Sequence, residues 1–291
     1  MIKKAIILCG GTGSRMYPLT YSINKQLLPL FDKPMFYYPL SLMMLCGVKD
    51  FIFIINKGQQ EKFEKAIGDQ RDLGIKIKFV VQDKPRGLAD AFIITEKLIK
   101  DNSIAMILGD NFFFGNMLSP LIKESFNRSS GCNIYLYPSN KTSSYGVVEF
   151  DKKNKIKKII EKPKKSNSKL IITGLYVFDK QVSSIAKKLK PSKRKELEIV
   201  DLINEYKKIN KLKTIQLGRG SAWMDVGNFI DLQSTSNFIQ NIEERQNYKI
   251  GCIEEIAFNN NWISKKNIEN RVSFYSNTNY SKYLKSFISS K

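Results

Sequence analysis

Histidine is absent from all 291 positions, so any chemistry rests on carboxylates, Lys, Arg, amides and backbone donors. That removes Ser-His-Asp and Cys-His nucleophiles and every histidine-ligated metal. A divalent ion would meet only oxygen ligands, which favours Mg²⁺. The densest constellation is N-terminal: Gly10-Gly11-Thr12-Gly13-Ser14-Arg15, then Pro18, Thr20 and the block Lys25-Gln26-Leu27-Leu28-Pro29. Glycines allow a tight turn whose N–H groups approach an anion. Arg15 and Lys25 add charge-assisted donors to the same oxygens. This is phosphate-holding chemistry. It is not the Walker loop, because Lys and Ser/Thr do not follow its last glycine, and Met16 replaces the third glycine of the dinucleotide fingerprint.

The elements that must position these residues read as α/β. The apolar run Lys3–Cys9 predicts a buried strand feeding the glycine turn, and Phe51–Ile55, Ile75–Val81 and Ile104–Leu108 predict further strands. Helices at 35–46, 61–67 and 89–100 alternate with them, which argues for a mostly parallel sheet covered on both faces. Ligands in such sheets lie beyond the carboxyl ends of the strands, the edge at which the glycine turn leaves. Further along, 133–137 and 170–178 predict strands, 145–150 and 155–161 a hairpin, and 213–217 a strand. Helices are expected at 118–126, 182–189, 196–209 and 228–246, with a helical tail around 254–258. Phe112-Phe113-Phe114 is expected in the core or at a subunit contact, and 276–291 is polar and poorly patterned.

Composition narrows the class. A hydrophobic content of 42% is ordinary for a globular chain. The first apolar run is too short for a signal peptide and no stretch reaches membrane-span length, so a cytoplasmic protein without a membrane partner is expected. Cys9, Cys46, Cys132 and Cys252 are widely spaced, which suits free thiols. The net charge of +21 admits a nucleic-acid binder, but it is scattered and lacks interleaved aromatics. A lysine-rich composition that also draws in anionic substrates is the simpler reading, with no nucleic-acid partner.

Other residues carry chemistry only in context. Gln82 and the loop Pro85-Arg86-Gly87 read equally as the polar cap of a helix. Asp110, at the end of a strand, reads as a metal ligand or as an acid in a Gly-Asp turn. Glu161-Lys162 reads equally as an exposed ion pair on a hairpin.

The glycine loop with Arg15, Pro18, Thr20 and the Lys25–Pro29 block resembles the sugar-nucleotide pyrophosphorylases, in particular those that transfer thymidylate to glucose 1-phosphate. The likeness runs to about 243–258. It implies a Rossmann-like three-layer nucleotidyltransferase fold with a mixed, mostly parallel sheet, a small sugar-binding sheet or lid, and a helical C-terminal extension. A nucleotidyltransferase domain over 1–240, with its sugar-phosphate part at about 140–200, would precede an extension over 241–291.

The implied substrates are dTTP and glucose 1-phosphate, the cofactor Mg²⁺ and the assembly a homotetramer; a uridylyltransferase on the same fold is the alternative. By the same resemblance Gly10, Gly11, Thr12, Gly13, Gln26, Gln82, Pro85 and Gly87 would bind nucleotide. Tyr145, Gly146, Glu161, Gly174 and Tyr176 would line the sugar, and Lys162 and Arg194 would meet its phosphate. Asp110 and Asp225 would hold the metal, with Arg15, Lys25, Lys162 and Asp110 catalytic. Gly115, Arg219, Cys252, Glu255 and Ile256 match a second, regulatory nucleotide-sugar site. There Ser119 and Asn259 replace basic groups, and beside Asp225 Met224 and Val226 stand for Leu and Thr.

Overall fold

The chain turns on β1 (Lys4–Cys9), whose alternate residues bury into two separate hydrophobic layers. A computed structural model describes residues 2–127 and 130–291. A small antiparallel ribbon, β2 (Pro29–Leu30) with β3 (Lys33–Pro34), leads into α1 (Tyr37–Leu45). β4 (Asp50–Ile55), α2 (Gln60–Ile67) and β5 (Lys76–Val81) follow, with β4 pairing parallel to both β1 and β5. The chain then crosses to the other side of β1. Two short helices, α3 (Asp90–Ile94) and α4 (Glu96–Ile99), carry it to β6 (Ile104–Leu108), again parallel to β1. The strand order therefore reverses between β4 and β6, and the crevice beyond the carboxyl ends of β1 and β6 is the topological switch point where α/β sheets take ligands.

The single helix expected over 89–100 is broken. Thr95 Oγ1 donates to the Ala91 carbonyl at 2.5 Å, and such back-bonding competes with the regular ladder.

β7 (Asn111–Phe114) leaves the main sheet; Phe112 is fully buried against Tyr38 and Phe238. After α5 (Leu118–Asn127) come β8 (Cys132–Pro138), the hairpin β9 (Gly146–Phe150) and β10 (Ile156–Glu161), and β11 (Leu170–Phe178). β11 runs antiparallel to β6, β8 and β9 and joins both halves, giving a mixed sheet whose order is β10-β9-β11-β6-β1-β4-β5, with β8 and β12 to one side. α6 (Val182–Ala186), α7 (Ile199–Lys208) and β12 (Leu212–Gln216) complete that side.

β13 (Ala222–Asp225) was not expected from sequence. It pairs with β7, setting Asp225 opposite Asn111. α8 (Phe229–Gln246) is capped by Asn228, whose side chain accepts from the Asp231 N–H.

The C-terminal segment is α9 (Ile253–Asn259), α10 (Lys265–Phe274) and α11 (Asn279–Ser289). The last of these corrects the expectation of an unpatterned tail. Leu284 and Ile288, one helical turn apart, bury against Cys252, Ile268 and Val272. Arg271, 1% exposed, reaches Glu254, 0% exposed, at 2.8 Å and anchors α10 on α9. Among the described residues no helix is long and apolar enough to cross a membrane. The four cysteines are buried free thiols.

Candidate active site

The glycine loop leaves β1 at the switch point and is held by two asparagines that sequence reasoning missed. Asn24 donates from Nδ2 to the Cys9 carbonyl at 3.0 Å and accepts from the Gln26 N–H at 2.9 Å. Asn56, just past β4, donates to the Gly11 carbonyl at 2.8 Å and accepts the Gly11 N–H at 3.1 Å. Of the glycine-turn N–H groups expected to approach an anion, that of Gly11 is therefore already engaged. The available signal was a polar residue ending a buried strand on the same sheet edge. Thr20 Oγ1 closes the loop by donating to the Gly13 carbonyl at 2.7 Å.

Asp110 follows β6 on the same edge. Lys25 Nζ lies 2.6 Å from its Oδ2, and Asn111 Nδ2 donates to its Oδ1 at 3.0 Å. Pairing of β7 with β13 brings Asp225 alongside, and the Val226 N–H donates to the Asp110 carbonyl at 3.0 Å. Val226 does so with its backbone, so the missing hydroxyl leaves this link intact. Burial first, then the charge of Asp110, pushes the Asp225 carboxyl up to about 6, with Lys25 and Arg15 pulling the other way. Burial, then the charge of Asp225, pushes the Tyr145 phenol up as well.

Two chambers meet here. The smaller, about 250 Å³, is lined by Gly10–Arg15, Lys25, Gln26, Asp110 and Gly227. The larger, about 450 Å³, shares Arg15 and Asp110 with it and adds Asp225. The larger also holds Tyr145, Gly146, Glu161, Lys162, Gly174 and Tyr176, so six of the expected sugar-side residues converge. Leu88, Asn111, Val200 and Trp223 line it too, and were not singled out from sequence.

Asn111 is the hub of that wall. Its Oδ1 accepts from the Gly174 N–H at 3.0 Å and the Trp223 indole at 2.8 Å. A Cβ on Gly174 would stand 2.4 Å from that oxygen, so only glycine fits. Lys162 adopts the left-handed region (φ 44°), and its N–H donates to the Tyr145 carbonyl at 3.0 Å. Burial raises the Glu161 carboxyl, opposed by Lys162.

Four expected residues lie outside both linings. Arg194 is drawn to Glu198 at 2.8 Å, with Glu161 at 3.4 Å, rather than left free for a phosphate. Pro85 is exposed. Gly87 (φ 98°) packs against the Leu197 backbone, whose oxygen would be 2.4 Å from an added Cβ, which explains this glycine without any base. Gln82 lines neither chamber but reaches their edge: its Oε1 is 3.7 Å from where a Gly10 Cβ would stand.

Residues 4–242 match the family model described as nucleotidyl transferase. Over 281 residues, 97% of this chain, it is 42% identical to the glucose-1-phosphate thymidylyltransferase of Neisseria gonorrhoeae, covering 98% of that protein. The chain belongs to the glucose-1-phosphate thymidylyltransferase family. The namesake enzyme of Mycolicibacterium smegmatis is 39% identical, with 97% of each chain covered. A crystal structure of a provisionally assigned family member from Bacillus anthracis, in complex with sucrose, superposes with a TM-score of 0.74 at 35% identity, over 81% of this chain and 94% of that one. UDP-glucose pyrophosphorylase shares the fold, with a TM-score of 0.72 at 23% identity, over 83% and 99% of the two chains.

As a nucleotidyltransferase, the chain acts on a nucleotide and a sugar phosphate, and the two chambers suit that pair. A third cavity, about 670 Å³, gathers Gly115, Cys252, Glu255 and Ile256 with Ser119 and Asn259. Arg219 is absent from its lining, next to Gly220, which is present. Lys249 lines it too, but its Nζ is held by Asp32 and Glu243, each at 2.6 Å, so it does not stand in for the basic groups that Ser119 and Asn259 replace.

Proposed function

We propose that this protein transfers thymidylate from dTTP to glucose 1-phosphate, forming dTDP-glucose and pyrophosphate. The observation that carries this reading is the junction of the two chambers, where Arg15, Lys25, Asp110 and Asp225 meet between the glycine loop and the sugar-side wall. A sugar phosphate oxygen attacks the α-phosphorus in line. A P–O bond forms there as the bond to the β-phosphate oxygen breaks, and pyrophosphate leaves. A phosphate monoester has a second pKa of about 6, so it is already a competent nucleophile at neutral pH and needs no base. The absence of histidine is therefore no obstacle. The obstacle is bringing two anions together, which positioning and charge neutralisation overcome.

Each residue then has a task. Arg15 and the remaining loop N–H groups take the charge building on pyrophosphate. Lys25 neutralises oxygens near the α-phosphorus, and Lys162 steers the incoming phosphate. Tyr145, Glu161 and Tyr176 hold the sugar against the wall that Asn111 braces.

The donor set fits Mg²⁺: the carboxylates of Asp110 and Asp225 line the same chamber, and burial and then the charge of Asp110 raise the Asp225 carboxyl. Mg²⁺ is commonly held by one or two carboxylates plus substrate phosphates. Held by Asp110 and Asp225, it would supply further neutralisation of the triphosphate.

We also assign the third cavity to feedback by a nucleotide-sugar product, residues 1–240 to catalysis and 241–291 to oligomer contacts within a cytoplasmic homotetramer. The test of the main reading is pyrophosphate release from glucose 1-phosphate with dTTP, UTP and dCTP, with and without Mg²⁺. Release with dTTP, lost on chelation, is expected; no release with any pyrimidine triphosphate would overturn it.

A further inference from the structure

We propose that Asp90 fixes which way the Gln82 amide faces, and thereby makes the nucleotide pocket select a base with a ring N–H between two carbonyls. This rests on the reading above that the protein takes a nucleoside triphosphate, and it places the base by Gln82, whose Oε1 reaches the edge of the chambers.

Gln82 follows β5 at the ligand-binding edge of the sheet, with its backbone N–H held by the Ile55 carbonyl at 2.9 Å. Its two amide ends have different surroundings. Nε2 donates to Asp90 Oδ2 at 2.9 Å. Oε1 lies on the other side, over Gly10, the first residue of the loop that lines the smaller chamber. Asp90 opens α3 and is 4% exposed, so it is not free to swing away.

A carboxylate only accepts hydrogen bonds, whereas an amide has one donating and one accepting end. Turning the Gln82 amide over would aim Oε1 at the Asp90 oxygens and leave buried acceptors facing one another without a proton. Asp90 thus locks Oε1 towards the nucleotide and leaves the second Nε2 hydrogen beside it. That edge complements thymine or uracil, whose N3–H donates and whose neighbouring carbonyl accepts. Cytosine offers a bare ring nitrogen at the same place and is refused. A site built to satisfy a particular donor discriminates far better than one that senses a methyl group, so this device separates dTTP from dCTP but not from UTP.

The experiment compares wild type, Asp90→Asn, and the pair Gln82→Glu and Gln82→Glu/Asp90→Asn. Binding of dTTP and dCTP is read by calorimetry without sugar, and kcat/KM with glucose 1-phosphate. Asn at 90 can present either oxygen or amide to Gln82, so the amide can turn over. The dTTP/dCTP ratio should then fall at least about tenfold, carried by nucleotide affinity, with KM for glucose 1-phosphate unchanged.

Gln82→Glu alone sets two carboxylates together and should lose dTTP binding. Adding Asp90→Asn gives residue 82 a donor again and leaves one of its oxygens facing the base N3–H, without the second amide hydrogen, so dTTP binding and its preference over dCTP should return in part. An unchanged ratio in Asp90→Asn overturns the proposal. If that variant fails to fold, the swapped pair decides, and no recovery there overturns it equally. Wild type that binds dTTP over dCTP but releases no pyrophosphate would defeat the proposed reaction while leaving the role of Asp90 open to the same binding ratios.

Discussion

Lys25 Nζ lies 2.6 Å from Asp110 Oδ2, the lysine 8% and the aspartate 18% exposed. A cation so close competes with any metal for that carboxylate, yet also serves the substrate's phosphates. Lys25→Met should therefore tighten Mn²⁺ binding severalfold without nucleotide while turnover falls about a hundredfold, the scale of one lost electrostatic donor. Mn²⁺ titration beside steady-state rates tests this. Equal metal affinity in both proteins would mean that Lys25 does not contend for Asp110.

Asp225 ties pH to both stability and metal binding. Its folded carboxyl is raised from 3.8 to about 6. A group raised on folding contributes stability that is present below its unfolded value and lost as pH rises through the folded one. Here the loss falls between about pH 4 and 6. Asp225→Asn removes the charge and should be the more stable protein in EDTA at pH 8, by on the order of 1–2 kcal/mol, with the gap closing near pH 4. Metal affinity of the wild type should weaken as pH falls below about 6. Thermal melts at several pH values check the first part, and a wild type more stable than Asp225→Asn at pH 8 would refute it.

Arg15→Ala keeps the fold, since Arg15 is exposed on a single 3-10 turn, Ser14–Met16, and should lower turnover at least about a hundredfold. Near-normal turnover would remove Arg15 from the catalytic set.

Asn111 joins Asp110, Gly174 and Trp223. Asn111→Ala strands the Gly174 N–H and the Trp223 indole in a buried wall. The expected loss is roughly 2–4 kcal/mol in urea unfolding, together with a raised KM for glucose 1-phosphate. A loss below about 0.5 kcal/mol would place it among ordinary surface changes and show that the wall does not depend on this side chain.

Glu254 and Arg271 form a nearly inaccessible pair, which Tyr275 and Tyr280 also join. Glu254→Ala leaves the guanidinium buried and unpaired, so a loss of about 3–5 kcal/mol is expected. Tryptic release of the segment after α9 before global unfolding would show that this pair holds the C-terminal helices in place.

The sequence by itself determined the class of chemistry. Without histidine the reaction had to run on oxygen and nitrogen groups that need no imidazole. The Gly10–Arg15 loop after a buried strand marked a phosphate site, because glycine runs and apolar runs act locally. Strands 104–108 and 170–178 match in both residues and bounds for the same reason.

Tertiary structure decided what depends on distant partners. β13 is too short and mixed to announce itself; it exists because β7 offers it an edge, and that pairing sets Asp225 beside Asp110. The Gly11 N–H went to Asn56 and the Arg194 guanidinium to Glu198, partners whose nearness only the folded chain fixes. α11 forms because Leu284 and Ile288 find Cys252 and Val272. Gly87 and Gly174 have local signatures no different from other glycines; only the backbone of Leu197 and the side chain of Asn111, packed against them, make them obligatory.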